Sequence, residues 1–138
     1  MDNMMLLGFV AIIIVGILFL IGITAGNRRR SGLDHAYYQK QWQMIEQYKQ
    51  NGGAGWNLAI FEADKLLDHA LKNRGYRGDT MGERLKGASK AFMNTNAVWD
   101  AHKLRNRLAH EQNVSLSGVS VDRALHSFRA ALKDLGAF

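Results

Sequence analysis

The sequence has no cysteine and no proline among its 138 residues. Without cysteine there is no disulfide, no thiol nucleophile and no cysteine-ligated zinc or iron-sulfur site. Without proline, no helix is broken by the residue that removes a backbone donor, so long helices are open to this chain. The first 27 positions hold no basic residue; all 18 Lys and Arg come later, against 12 Asp and Glu overall, for a net charge of +6. The remainder is mildly basic, a balance that allows an anionic partner without demanding one and equally fits a solvated surface. Strand-like alternation of useful length is also missing, which points to an all-α fold.

What the N-terminal part does have is a run of uncharged, mostly apolar residues from Met4 to Ala25. As a helix rising about 1.5 Å per residue it spans about 33 Å, close to the hydrocarbon thickness of a bilayer. A cleaved secretory signal opens on a positive segment, whereas Asp2 is the only charged side chain ahead of this run, so the expectation is an uncleaved transmembrane anchor. Arg28, Arg29 and Arg30 follow directly. By the positive-inside bias they place the N-terminus outside and the C-terminal domain in the cytoplasm, as a single-pass cell-membrane protein.

Beyond the linker the residues read as helices. Asp34 is a plausible N-cap for a segment in which Tyr38, Trp42 and Ile45 recur at spacings of four and three. This helix belongs either to the bundle, which is favoured, or to the lipid interface. Asn51 to Gly55 is a glycine-rich break, without the lysine and Ser/Thr that a phosphate-binding P-loop requires. From Trp56 to Arg74, Ala59, Ala63, Leu66, Leu67, Ala70 and Leu71 form one apolar stripe. Gly75 to Gly78 ends it, and Thr80 with Glu83 fits a capping box for a helix carrying Leu85 and Phe92 and ending near Met93. Asn94, Thr95 or Asn96 caps a further helix to about Gln112, with Ala97, Ala101, Leu104 and Leu108 inward. Ser120 is expected to cap the last, where Val121, Leu125, Phe128, Leu132 and Leu135 repeat. The expectation is an all-α chain: an N-terminal single transmembrane helix followed by a small four- to five-helix bundle. It divides as a 1–27 anchor, a 28–34 basic juxtamembrane linker and a 35–138 cytoplasmic bundle.

One cluster suggests chemistry: Arg105-Asn106-Arg107-Leu108-Ala109-His110, an arginine and a histidine separated by four residues. The bare spacing also occurs from Arg30 to His35, across the linker, so context distinguishes the second match. That context is the adjacent Asn106, a helix late in the domain, and Leu104 and Leu108 turning that helix inward. The cluster resembles the R-x4-6-H signature of the HEPN superfamily, compact helical bundles that include metal-independent ribonucleases and non-catalytic binding modules. The likeness covers Trp56 to the C-terminus as a helical bundle, with the six residues carrying the motif. Some members add a tyrosine two positions after the histidine, where this chain has Gln112.

The resemblance implies RNA cleavage by attack of a 2′-hydroxyl on the neighbouring phosphorus, with no metal or other cofactor. His110 would be the general acid or base, Arg105 would stabilise charge on the phosphorane, and Asn106 would orient the histidine or the phosphate. Lys103 and Arg107 would hold flanking phosphates. At about 100° per residue, Asn106 and His110 fall about 40° apart on a helix, whereas Arg105 and His110 fall about 140° apart. Arg105 therefore needs a helix irregularity, a wrapped side chain or a second subunit to meet His110; the family commonly forms its cleft where two copies meet, which implies a homodimer. The implied partners are RNA, a second copy and, through residues 4–25, the lipid bilayer.

The alternative is a non-catalytic, membrane-anchored helical module that dimerises or binds a protein partner. Lys103, Arg105, Arg107 and Glu111 would then be a solvated face, with Glu111 paired to Arg107 four residues earlier. Other constellations fail on detail. His110-Glu111 lacks the second histidine of a zinc-binding H-E-x-x-H because Val114 stands there, and Ser115, Ser117 and Ser120 lack a nucleophile elbow. Glu62, Asp64 and Asp68 are candidates to add acidic groups to a polar cleft.

Overall fold

The computed structural model describes the backbone of residues 3–26 and 32–138, and the side chains of 7–20 and 32–138. Among the described residues every regular element is helical: α1 Asn3–Gly26, α2 His35–Gln50, α3 Ala54–Asn73, α4 Met81–Gly87, a 3-10 turn Ser89–Ala91, α5 Thr95–His110 and α6 Gly118–Asp134. The chain divides into two compact units, Met1–Ser31 and Gly32–Phe138.

The first unit corrects an expectation. Among the described residues no helix is long and apolar enough to cross a membrane, so the expected transmembrane helix is not shown. The described side chains of α1, Leu7 to Leu20, are apolar or glycine and exposed. The basic run Arg28–Arg30, on which the expected orientation depends, lies outside the described residues.

The second unit is a helical bundle organised on α3, which packs against α2, α4, α5 and α6, while α5 and α6 pack on each other. Its buried face carries Ala59, Ile60, Ala63, Leu66, Leu67, Ala70 and Leu71. Small alanines at this spacing let neighbouring helices approach, and the leucines fill the space between them. α2 belongs to this bundle: Tyr38, Trp42 and Ile45 are buried, and Leu33, ahead of the helix, joins the same core. Asp34 caps it by accepting from the Tyr37 N–H at 3.2 Å.

Helix ends are set by local chemistry. α3 closes in a Schellman turn: the Tyr76 N–H donates to Leu71 O, the Gly75 N–H donates to Lys72 O, and Gly75 takes a φ of 84° that glycine adopts without steric cost. The same pattern recurs after α6, with Gly136 at φ 83°. Thr80 and Glu83 form the expected capping box at α4, but α4 stops at Gly87 and a 3-10 turn carries the chain toward Phe92, so the expected continuous helix to Met93 is two short pieces. Asn94 is the residue that caps α5, which ends at His110 rather than near Gln112. The cap of α6 is Ser117, not Ser120; Ser120 sits at the third helical position and returns its hydroxyl to the Ser117 N–H, completing a reciprocal box.

Phe138 packs edge-on against Trp42 of α2, ring centroids 6.1 Å apart, and Arg129 of α6 lies over both rings, at 5.8 Å from Trp42 and 5.4 Å from Phe138.

Candidate functional site

His102, Arg105 and Asn106 lie three and four residues apart on α5, so a regular helix brings them to one face. That face looks toward Asp64 of α3. Asp64 and His102 are buried, with 5% and 8% of their surface exposed, and a buried charge of this kind is tolerated only when it is paired. The partner is explicit: His102 Nδ1 lies 2.7 Å from Asp64 Oδ1. A carboxylate accepts only, so Nδ1 carries the hydrogen, and in the neutral ring Nε2 then presents its lone pair.

The remaining bonds follow from that assignment. Asn106 Nδ2 lies 3.2 Å from His102 Nε2 and donates to it, so the amide oxygen is turned toward Arg105. There it accepts from Nη1 at 3.2 Å. Arg105 returns to the start of the circuit, its Nε 3.4 Å from Asp64 Oδ2. This last contact is a charge pair only, since the buried Arg105 Nε makes no hydrogen bond. The guanidinium also stacks over Phe61, 5.3 Å from the ring centroid. Asp64, His102, Asn106 and Arg105 thus form a closed ring of four side chains from two helices, in which Arg105 Nη2 has no hydrogen-bond partner among the described residues.

A second pair, buried at its arginine and half-buried at its carboxylate, stands nearby. Arg84 of α4, 7% exposed, makes a two-pronged contact with Asp68 of α3, Nε to Oδ1 at 2.6 Å and Nη2 to Oδ2 at 3.1 Å, and also donates to the Gly78 carbonyl. Lys72 adds a contact to Asp68 at 2.8 Å. Burial pushes the Asp68 carboxyl upward, but the hydrogen bonds and charges of Arg84 and Lys72 outweigh it and hold the group below the ordinary carboxylate value.

Both pairs border one open cleft of about 780 Å³ between α3, α4 and α5. Phe61, Met81 and Trp99 give it apolar wall; Lys65, Arg84, Lys103 and Arg105 face Glu62, Asp64, Asp68 and Asp79. Trp99 meets the His102 ring edge-on at 6.0 Å. The expected acidic residues of α3 are thus at the cleft. A smaller groove of about 280 Å³ lies between α2 and α3. Beside it Tyr38 Oη lies 2.9 Å from His69 Nδ1 and accepts from Asn73 Nδ2 at 3.3 Å. Burial raises the Tyr38 phenol above its ordinary value, more than the Asn73 hydrogen bond lowers it.

The six motif residues separate. Arg105 and Asn106 line the cleft, half-buried, and Lys103 lies at its exposed edge. Arg107 is exposed and pairs with Glu111 at 3.2 Å, the spacing of one helical turn. His110, the last residue of α5, is exposed, does not line the cleft, and has no hydrogen-bond or ion-pair partner among the described residues. Within one chain Asn106 joins His102, not His110. The four-residue spacing that relates Asn106 to His110 relates it equally to His102, and it is the burial of His102 beside Val98 and Ala101 that decides between them. No family model, curated protein or solved structure matches the chain.

Proposed function

We propose that the Gly32–Phe138 unit is an HEPN-like RNA-cleaving domain whose reacting centre is completed when two copies meet along α5. The observation that carries this reading is Arg105: a cation held by Asp64, Asn106 and Phe61 at an open cleft, with Nη2 left for a ligand. A guanidinium fixed before substrate arrives stabilises developing phosphorane charge without reorganising during the reaction. His110 stands at the exposed end of the same helix, available to a second copy.

In the reaction a ribose 2′-oxygen bonds to phosphorus as its proton passes to a base, and the bond from phosphorus to the 5′-oxygen breaks as that oxygen takes a proton. His110 serves one of these transfers. Lys103 at the cleft edge, and Arg107 on the exposed face beyond it, hold flanking phosphates. The test is cleavage of single-stranded RNA by the full chain. Arg105→Ala and His110→Ala are each expected to slow it by about 10²- to 10³-fold. If the natural chain makes no more product than the Arg105→Ala/His110→Ala double variant, the catalytic reading is wrong.

A second reading, a non-catalytic helical module that pairs with itself or a protein partner, is favoured by the divergence of Arg105 and His110 within one chain. It expects self-association in sedimentation with no RNA cleavage.

A further inference from the structure

The buried side chain with no place in the chemistry above is His102. It is not part of the arginine–histidine motif, yet the chain of hydrogen bonds from Asp64 to Arg105 runs through it. We propose that His102 is a positioning residue for Arg105: its Nε2 lone pair fixes which way the Asn106 amide faces, and the amide oxygen then holds Arg105 Nη1.

The bonds are directional, and only one arrangement satisfies them all. Asp64 accepts, so His102 must donate from Nδ1. The amide nitrogen of Asn106 faces Nε2 and can only donate, so Nε2 accepts and the ring is the neutral Nδ1–H form. The amide has one oxygen, and it is left facing a guanidinium that only donates. Reversing any member sets two donors or two acceptors against each other, and at the buried Asp64–His102 bond an unmade hydrogen bond carries its full desolvation cost. Asn106 therefore passes the state of a buried imidazole to a half-exposed cation. Phe61 supplies a flat face on which the guanidinium rests but sets no direction within that plane. Asp64 alone is also insufficient, because its 3.4 Å contact to Nε makes no hydrogen bond.

The functional importance of holding Arg105 rests on the reading of that residue as the phosphate group's partner; the holding itself does not. The experiment therefore reads Arg105 directly. Hydrogen exchange of the Arg105 Nε–H and Nη groups is followed by nitrogen-15 NMR in the full chain, kept dispersed with a mild detergent because the Leu7–Leu20 side chains are exposed. The same spectra assign the His102 tautomer. Three variants separate the links of the ring. His102→Gln keeps an acceptor near Nε2; His102→Asn keeps a donor near Nδ1 but loses that acceptor; Asn106→Ala, at a half-exposed position, removes the relay and leaves the Asp64–His102 pair intact.

A natural chain with hydrogen on Nδ1, Arg105 Nη exchange about tenfold faster in His102→Asn and Asn106→Ala, and exchange within a factor of about two of the natural chain in His102→Gln supports the proposal. Equal behaviour of the two His102 variants, an unchanged rate in Asn106→Ala, or hydrogen on Nε2 in the natural chain overturns it. A histidine that only filled space would not distinguish glutamine from asparagine in this order. RNA cleavage is measured on the same samples. Absence of cleavage in the natural chain, with the exchange pattern intact, removes the ribonuclease reading and leaves His102 as the residue that orients Arg105.

Discussion

Asp64 Oδ1 and His102 Nδ1 approach to 2.7 Å from two different helices, α3 and α5, and both side chains are buried. Their pairing joins the scaffold to the site, because the carboxylate that satisfies the imidazole also faces Arg105. Removing one member of a buried pair strands the other without water.

Asp64→Ala is therefore expected to destabilise the Gly32–Phe138 unit by about 3 kcal/mol, beyond the loss of a few van der Waals contacts. Urea unfolding followed by far-ultraviolet circular dichroism checks it. An unchanged midpoint would show that the pair contributes nothing net to the fold.

Asp68 makes stability depend on acidity with a definite sign. Its folded value lies below its unfolded one, so its contribution is complete above the ordinary carboxylate range near pH 4 and is lost as the pH falls through the lower folded value. Arg84→Met removes the main partner and should flatten that part of the acid limb while lowering stability at neutral pH. Denaturant midpoints measured from neutral to acid pH, in both chains, test the difference of slopes.

Tyr38 gives the opposite limb. Burial raises the phenol above its unfolded value, so its contribution is present below about pH 10 and is lost as the pH rises through the higher folded value. Tyr38→Phe should lose about 1 kcal/mol at neutral pH, from the bonds to His69 and Asn73, and should unfold with less dependence on alkali. Alkaline unfolding followed by tryptophan fluorescence reads it.

Ser117→Ala should cost about 1 kcal/mol by leaving the Ser120 N–H without its acceptor. Ser120→Ala removes the reciprocal bond to the Ser117 N–H and should cost less, since Ser117 still caps the helix. Thermal unfolding of the two variants orders them.

The buried stripes of α3 and α6 were legible in the sequence because their spacing is long and regular, and so was the Thr80–Glu83 box because both of its members have distinctive side chains. The cap of α6 was misplaced for a physical reason. Ser120 immediately precedes Val121, the first core residue, but the helix begins a turn earlier over the non-core residues Gly118 and Val119. The site was half legible. Arg105 and Asn106 stood out, whereas Asp64 and His102 are 38 positions apart, and only the packing of α3 on α5 brings them together. His110 drew attention through its place in the motif, and nothing in local spacing separates an exposed histidine from a buried one four residues before its asparagine.

The stacking of Arg129 over Trp42 and Phe138 ties the last residue of the unit to its first helix. Fraying cannot start at one terminus alone: peeling away the final residues bares the indole of α2, and lifting α2 uncovers the phenylalanine. The two ends of the Gly32–Phe138 unit act as a clasp, so a protease that trims Phe138 should loosen α2, and the Trp42 emission should redden before the helices of the cleft begin to melt.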